Sequence, residues 1–258
     1  MQELFKVVIT PFNRERTIRV YLPLDYKTSD KKYPVLYMHD GQNLFRDEDA
    51  SFGTCWGIQH YLDKSGLDLI VVGIDCDGEV RLDEYAPWPN VTVGKEMLNV
   101  DRVFGGEGKQ YIDYIVSELK PLIDRTYRTI PEDTSMAGSS MGGLISTYAA
   151  CEYPHIFKKI ASISSAYWFN QDEIEKLIEE SDLSAINKFY LDIGTKEIAD
   201  ESRNQRFIES SRTVYDLFKD KVGDSRFVIA EGAEHNEKAW RERVPEIFAY
   251  LFEPLKEK

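Results

Sequence analysis

Gly138-Ser139-Ser140-Met141-Gly142 sets glycines two positions before and two after Ser140, and Gly143 follows directly. That spacing suits a serine on a tight strand-to-helix turn, because a side chain at either flank would collide with the turn itself. The turn exposes the hydroxyl at a helix N-terminus, where free N–H groups and the helix dipole favour developing negative charge. Ser139 does not meet the same demand, since its flanks are Ala137 and Met141. The pentapeptide alone also describes a loop of glycine and serine. A serine hydroxyl is a poor nucleophile until a base takes its proton and an acid orients that base. The chemistry therefore depends on partners elsewhere in the chain.

Those partners stand in the order serine, acid, histidine, each just past a strand-like run, which is the order of an α/β-hydrolase. Glu197 closes Gly194-Thr195-Lys196-Glu197 after the run Lys188 to Ile193, and His235 lies in Gly232-Ala233-Glu234-His235-Asn236 after the run Arg226 to Ala230. Asp192 and Asp200 are rivals for the acid, the first within or at the end of its strand, the second further along the loop. A surface carboxylate beside Lys196 is the plain alternative for Glu197, as a solvated loop histidine is for His235. An oxyanion would need two backbone donors. The N–H of Met141 is one; Gln42, in the glycine-led turn His39-Asp40-Gly41-Gln42, supplies the other, with Gly41 as the alternative. His39 is read as capping its strand and shaping that turn, and His60 and His155 as ordinary helix or loop residues.

The surrounding patterns must position these groups. Leu4 to Ile9 and Thr17 to Leu22 alternate about a polar turn and predict a hairpin. Tyr33 to Met38 and Leu69 to Ile74 are continuous apolar runs, as expected of strands buried on both faces. Gly78 to Gly108 shows little periodicity and reads as a long ordered loop. Helical spacing begins at Lys109, with Pro121 predicting a kink or an early end. Thr134 to Ala137 and Ile160 to Ser164 read as strands. Leu144 to Cys151, Asp172 to Glu180, Asn204 to Phe218 and Lys238 to Leu251 read as helices. Strands alternating with helices after a hairpin predict an α/β fold with a mostly parallel central sheet and helices on both faces. No repeat or linker divides the chain, so one domain over residues 1–258 is expected.

Gly138-Ser-Ser-Met-Gly-Gly143, Val35-Leu-Tyr-Met-His-Asp-Gly41 and His235-Asn-Glu-Lys-Ala-Trp240 together resemble the putative-esterase family of α/β-hydrolases. Arg19-Val-Tyr-Leu-Pro23 and Glu84-Tyr85-Ala86-Pro87 are similar to family segments as well, so the resemblance spans nearly the whole chain. The family resembles esterase D, feruloyl and acetyl-xylan esterases, enterochelin-type siderophore esterases and mycolyltransferases. The resemblance implies Ser140 as nucleophile, His235 as base, Gln42 and Met141 as oxyanion donors, and Trp56 as a tryptophan flanking the site. Relatives commonly carry Asp where this chain has Glu197, which reaches one methylene further.

Composition narrows the remaining classes. The 258 residues carry a formal net charge of −13, which disfavours nucleic acid and anionic membranes as partners. Cys55, Cys76 and Cys151 include no CxxC pair, and the four histidines lack ligand spacing, so neither a disulfide framework nor a metal site is expected. No cofactor is implied. The opening Met1-Gln-Glu-Leu-Phe-Lys lacks the features of a secretory leader, giving an expectation of a cytoplasmic protein. Trp56, Tyr85, Trp88 and Trp168, with Gly41, are candidate substrate contacts; for the aromatics, core packing carries equal weight. The expectation is a serine carboxylic-ester hydrolase acting on small acyl, feruloyl- or acetyl-carbohydrate, or siderophore-lactone esters. The alternatives are acyl transfer by the same residues and a non-catalytic hydrolase-fold binding protein, a class that usually loses the serine or histidine, both present here.

Overall fold

In the computed structural model, which describes residues 1–96 and 98–253, eight strands form one sheet and a two-stranded ribbon stands apart. In chain order the first strands are β1 (Gln2–Ile9), β2 (Arg14–Tyr21), β3 (Tyr33–His39) and β4 (Ile70–Ile74), with α1 (Ile58–Ser65) between the last two. The Gly78 to Gly108 region holds α2 (Arg81–Glu84), β5 (Pro89–Asn90), α3 (Val93–Glu96) and β6 (Phe104–Gly105). Then come α4 (Gly108–Tyr114), α5 (Lys120–Thr126), β7 (Thr129–Ser139), α6 (Met141–Glu152), β8 (Phe157–Ile163), α7 (Gln171–Glu180), β9 (Lys188–Lys196), α8 (Glu201–Phe218), β10 (Asp224–Glu234) and α9 (Glu237–Phe252).

The sheet runs β1-β2-β4-β3-β7-β8-β9-β10. The hairpin β1–β2 is antiparallel and joins β4 antiparallel; every other pairing in the sheet is parallel. Alternate residues of β3 show how both faces are filled. Val35 and Tyr37 belong to a buried cluster with Ile112, Leu144 and Val214, whereas Leu36 and Met38 belong to another with Ile58, Val244 and Phe248. Helices thus cover both faces, and the chain has the α/β-hydrolase fold.

Two local readings shift, and the long loop is ordered as expected. The strands β7 and β10 extend beyond their apolar runs, because their polar ends still complete the ladder. The long loop is ordered by Asp83, whose carboxylate accepts from the Gly105 N–H at 2.9 Å and pairs with Arg102. Pro121 does not end its helix. A π-helical turn over Ile115–Leu119 joins α4 to α5, so the proline falls at the start of α5, where a missing N–H costs least.

Parallel order brings all the loops that matter to the carboxyl ends of the strands, where α/β sheets bind ligands. The turn Gly41–Asn43 follows β3 and Ser140 follows the adjacent β7. Gly41 permits the first of these: a Cβ there would lie 2.7 Å from the Gly73 carbonyl carbon and 2.8 Å from the Asp75 nitrogen, both backbone atoms of the neighbouring strand region. Gly41→Ala is expected to lower unfolding free energy by about 3 kcal/mol in urea melts. Gly78→Ala, where a Cβ meets nothing within 4 Å, serves as the control and should leave the midpoint unchanged.

Candidate active site

Ser140 sits between β7 and α6 at φ 58°, ψ −123°, a left-handed backbone unusual for a side-chain-bearing residue. Hydrogen bonds hold it there. Its N–H donates to the Ile163 carbonyl at 2.9 Å, and its carbonyl accepts from Gly143 at 3.0 Å and Ala166 at 3.0 Å. A Cβ on Gly138 would approach the Gly142 backbone to 2.6 Å, and one on Gly143 would meet Ser165 Oγ at 1.8 Å. Gly138 is therefore required by contact, as the spacing predicts, whereas at the other flank a Cβ on Gly142 would meet His39 Cβ only at 3.3 Å, and the second glycine that contact requires is Gly143, outside that spacing.

Met141 opens α6, so its N–H has no carbonyl inside the helix to receive it. In the turn after β3, Asn43 N–H donates to the Asp40 carbonyl and Leu44 N–H to Gly41, which leaves the Gly41 and Gln42 N–H groups without an acceptor inside the turn. The Gln42 side chain is tied back by the Cys76 N–H, which donates to its Oε1 at 2.9 Å.

The two loops are joined by a residue that spacing does not reveal. Arg81, from α2, grips both carboxylate oxygens of Asp40 at 2.8 Å and reaches the Ser139 carbonyl at 3.4 Å. Asp40 is itself left-handed, at φ 56°, with its N–H donating to the Tyr85 hydroxyl at 3.1 Å. Burial would raise the Asp40 carboxyl, but the Arg81 charge and its hydrogen bonds outweigh that and hold it below the usual range.

Across the site, His235 Nδ1 lies 2.6 Å from Glu197 Oε2. Glu197 is buried, and its other oxygen accepts from the Gly194 N–H and the Ser164 hydroxyl, each at 2.5 Å. Burial pushes the Glu197 carboxyl up, yet hydrogen bonding to His235, the histidine's charge, and the Ser164 and Gly194 donors more than offset it, so the group is held below its ordinary value. The rival acids are engaged elsewhere. Asp192 pairs with Arg243 at 2.9 Å and accepts from Tyr190 at 3.2 Å, with burial raising its carboxyl to about 6. Asp200 is exposed and caps α8, accepting from the Arg203 N–H at 2.8 Å.

Ser140 and His235 line one cavity of about 610 Å³ together with Gln42, Cys76, Arg81 and Glu237. Among the described residues, no hydrogen bond joins the Ser140 hydroxyl to the imidazole, a looseness common in unliganded sites. Glu237 is buried there, its carboxyl raised by burial, and it accepts from the Asn43 amide at 3.1 Å.

The proposed aromatic contacts fall outside this lining. Trp56 is buried against Trp240 at 5.5 Å between ring centroids and borders a separate hollow of about 500 Å³ that contains neither Ser140 nor His235. Chemistry, and not size, decides between the two. Tyr85 is fully buried and supports the Asp40 turn through its hydroxyl; Trp88 packs edge-on against Tyr148 at 5.5 Å; Trp168 stands at the surface beside Phe169. Gly41 likewise serves the close approach to β4 and does not line the cavity. Phe52, 80% exposed at the rim, and Trp240, which meets the His235 ring edge-on at 5.2 Å, are the aromatic residues that do face it.

A family model described as "Putative esterase" matches residues 9–251. The chain belongs to this esterase family. The chain is also similar to a Bacillus subtilis relative, the uncharacterized protein YbbA, 30% identical over 229 residues that span 86% of this chain and 87% of that protein. Among solved structures, an IroE-like serine hydrolase from Shewanella oneidensis superposes with a TM-score of 0.78 at 17% identity, covering 98% of this chain and 80% of the other. A ferulic acid esterase superposes at 0.70 and 17% identity, covering 98% of each chain. An esterase with this fold is an enzyme acting on carboxylic esters. Among the described residues, no helix is long and apolar enough to cross a membrane, and no group of three or more His, Cys, Asp or Glu could hold a metal ion.

His39 ends β3 just before the Gly41–Asn43 turn, buried, with Nδ1 3.1 Å from the Tyr111 hydroxyl, and burial lowers its imidazole to about 4. The unfolded chain's histidine titrates near 6.5, so between pH 6.5 and 4 the unfolded state takes up a proton that the native state refuses. Stability contributed by neutral His39 is full above pH 6.5 and falls by up to about 3 kcal/mol as pH drops through that window. In His39→Asn the urea midpoint should decline less between pH 7 and pH 4 than in the parent protein.

Proposed function

We propose that the protein is a serine carboxylic-ester hydrolase working through an acyl-enzyme, with Ser140 as nucleophile, His235 as base and Glu197 as the acid. The 2.6 Å contact between His235 Nδ1 and a buried, ionised Glu197 carries the reading, because it leaves Nε2 as the unprotonated nitrogen on the side of the cavity that holds Ser140. In this reading Ser140 Oγ attacks the ester carbonyl while His235 Nε2 removes its proton. The oxyanion is received by the N–H groups of Met141 and Gln42, which have no competing acceptor in their own turns. His235 then returns the proton to the departing alkoxide, and the alcohol leaves. Water, deprotonated by the same nitrogen, attacks the acyl-enzyme and releases the acid and Ser140.

For substrate, the cavity supports a hydroxyl-bearing acid or alcohol. Gln42, Asn43, Ser51 and Glu237 offer hydrogen bonds, and Phe52 and Trp240 offer the aromatic faces. Feruloyl- or acetyl-carbohydrate esters and siderophore lactones both fit that chemistry, as do small acyl esters. A panel of acetyl, butyryl and feruloyl esters and a siderophore trilactone would rank them.

Ser140→Ala is expected to lower kcat/KM on small p-nitrophenyl esters by about 10⁴-fold or more with an unchanged circular dichroism spectrum. An organophosphonate should add one covalent group at Ser140, seen by peptide mass spectrometry. Full turnover in the alanine variant would sink the reading. Glu197→Gln should cost about 10²- to 10⁴-fold in kcat; a loss under a few-fold, together with a severe one in Asp192→Asn, would transfer the acid's role to Asp192.

A further inference from the structure

Behind the acid lies a buried hydroxyl with an unusual set of partners. Ser164 follows β8, is 0% exposed, and has a left-handed backbone at φ 44°. Its Oγ is approached by three groups: Trp240 Nε1 at 3.1 Å, Arg243 Nη2 at 3.1 Å and Glu197 Oε1 at 2.5 Å. An indole N–H and a guanidinium N–H can only donate, and a hydroxyl has one proton and two lone pairs. With both lone pairs taken, the one Ser164 proton has a single destination, Glu197 Oε1.

We infer that Ser164 is a positioning residue for Glu197, its hydroxyl locked onto the acid by the obligate donors Trp240 and Arg243; the inference rests on the acid's role proposed above. Two fixed donors, Ser164 and the Gly194 N–H, then occupy Oε1, and Oε2 alone is turned to His235. The carboxylate is held in one rotamer and one protonation state, so the ring proton stays on Nδ1 and Nε2 stays free for Ser140. A hydroxyl with a spare lone pair could swing its proton away; this one cannot.

The lock has its own anchor. Asp192 Oδ1 holds Arg243 at 2.9 Å and accepts from the Ser164 N–H at 3.2 Å, while the Asp192 carbonyl also accepts from that N–H at 3.0 Å. Asp192 therefore serves the acid by fixing both the backbone and the side-chain donor of Ser164. The charged groups nearest Glu197 are His235 in front and, through Ser164, Arg243 and Asp192 behind, while Lys196, Glu201 and Glu234 line the hollow beside it. Within the buried set, two carboxylates and one guanidinium leave a net single negative charge, matched by the imidazolium that forms when His235 takes the serine proton.

The test uses Ser164→Gly, because glycine suits φ 44° and removes the hydroxyl without adding backbone strain, with Ser164→Ala as the second variant. Loss of the Ser164 donor makes the Glu197 carboxylate more basic, and both its own protonation and stronger support of the imidazolium move in the same direction. The acid limb of the kcat/KM profile should shift upward by about one pH unit. kcat should fall about 10- to 100-fold with KM within a factor of about two. In carboxyl-carbon NMR, the Glu197 signal, assigned through Glu197→Gln, should titrate at higher pH in both variants than in the parent.

An unmoved Glu197 titration in folded Ser164→Gly and Ser164→Ala overturns the inference, whatever happens to kcat, because a hydroxyl that merely fills space would leave the carboxylate unaffected. The NMR arm needs no substrate. A parent protein that turned over no ester would count against the proposed reaction, and the carboxyl titration would still decide the role of Ser164.

Discussion

A serine held at φ 58° is the constraint on which the rest of this molecule turns. Such a backbone costs roughly 1–3 kcal/mol and persists only where its surroundings over-determine it. Here they do so from three directions. The β8 strand end accepts from the Ser140 N–H, the first turn of α6 and the Ala166 N–H saturate its carbonyl, and glycines at 138 and 143 let backbone and side chains close in. The central position of β7 in the sheet supplies the stiffness. The adjacent β3 ends in the Gly41–Asn43 turn beside it, and there the close approach to the backbone after β4 makes Gly41 indispensable.

The site is built of two halves with different chemistry. On the side of the β3 turn, Arg81 joins the Asp40 turn to the elbow, so the proposed oxyanion donors belong to one framework that a short helix from the long loop braces. On the base side, charge is handled by burial and pairing. Glu197 is kept ionised by donors, whereas Asp192 is raised by burial and committed to Arg243. Two buried carboxylates, one inside β9 and one just past its end, are thus shifted in opposite directions because their hydrogen-bond partners differ.

The sequence carries the fold at good resolution and the site unevenly. The glycine spacing around Ser140 and the order of Ser140, Glu197 and His235 are local signals, and local sterics and strand order place all three at one end of the sheet. Arg81, Ser164 and Arg243 left no comparable mark, and Trp240 appeared only as the end of a family-like segment, without a role. Each acts through a partner distant in the chain, and nothing in a single residue's neighbours says which carboxylate or carbonyl it will meet. The one retrospective signal is position: Trp240 and Arg243 are three residues apart on α9, so both face the same side. Among the aromatic candidates, core packing, which the sequence left level with substrate contact, is what the structure displays. Trp56, Tyr85 and Trp88 pack the site's supports, and aromatic character by itself does not distinguish a wall from the beam behind it. Pro121, read as a kink or an early end, marked a true irregularity: a π-helical turn precedes it and the helix continues.

The buried Asp192–Arg243 pair also bears on how this sequence can drift. Removing either partner alone strands a charge in the interior, at a cost of about 3–5 kcal/mol. Were the proposed role of the acid to pass from position 197 to position 192, Asp192 would have to lose its guanidinium, reorient and find new donors. No single substitution in this structure accomplishes all three, so the pair ties the identity of the acid to a residue on α9.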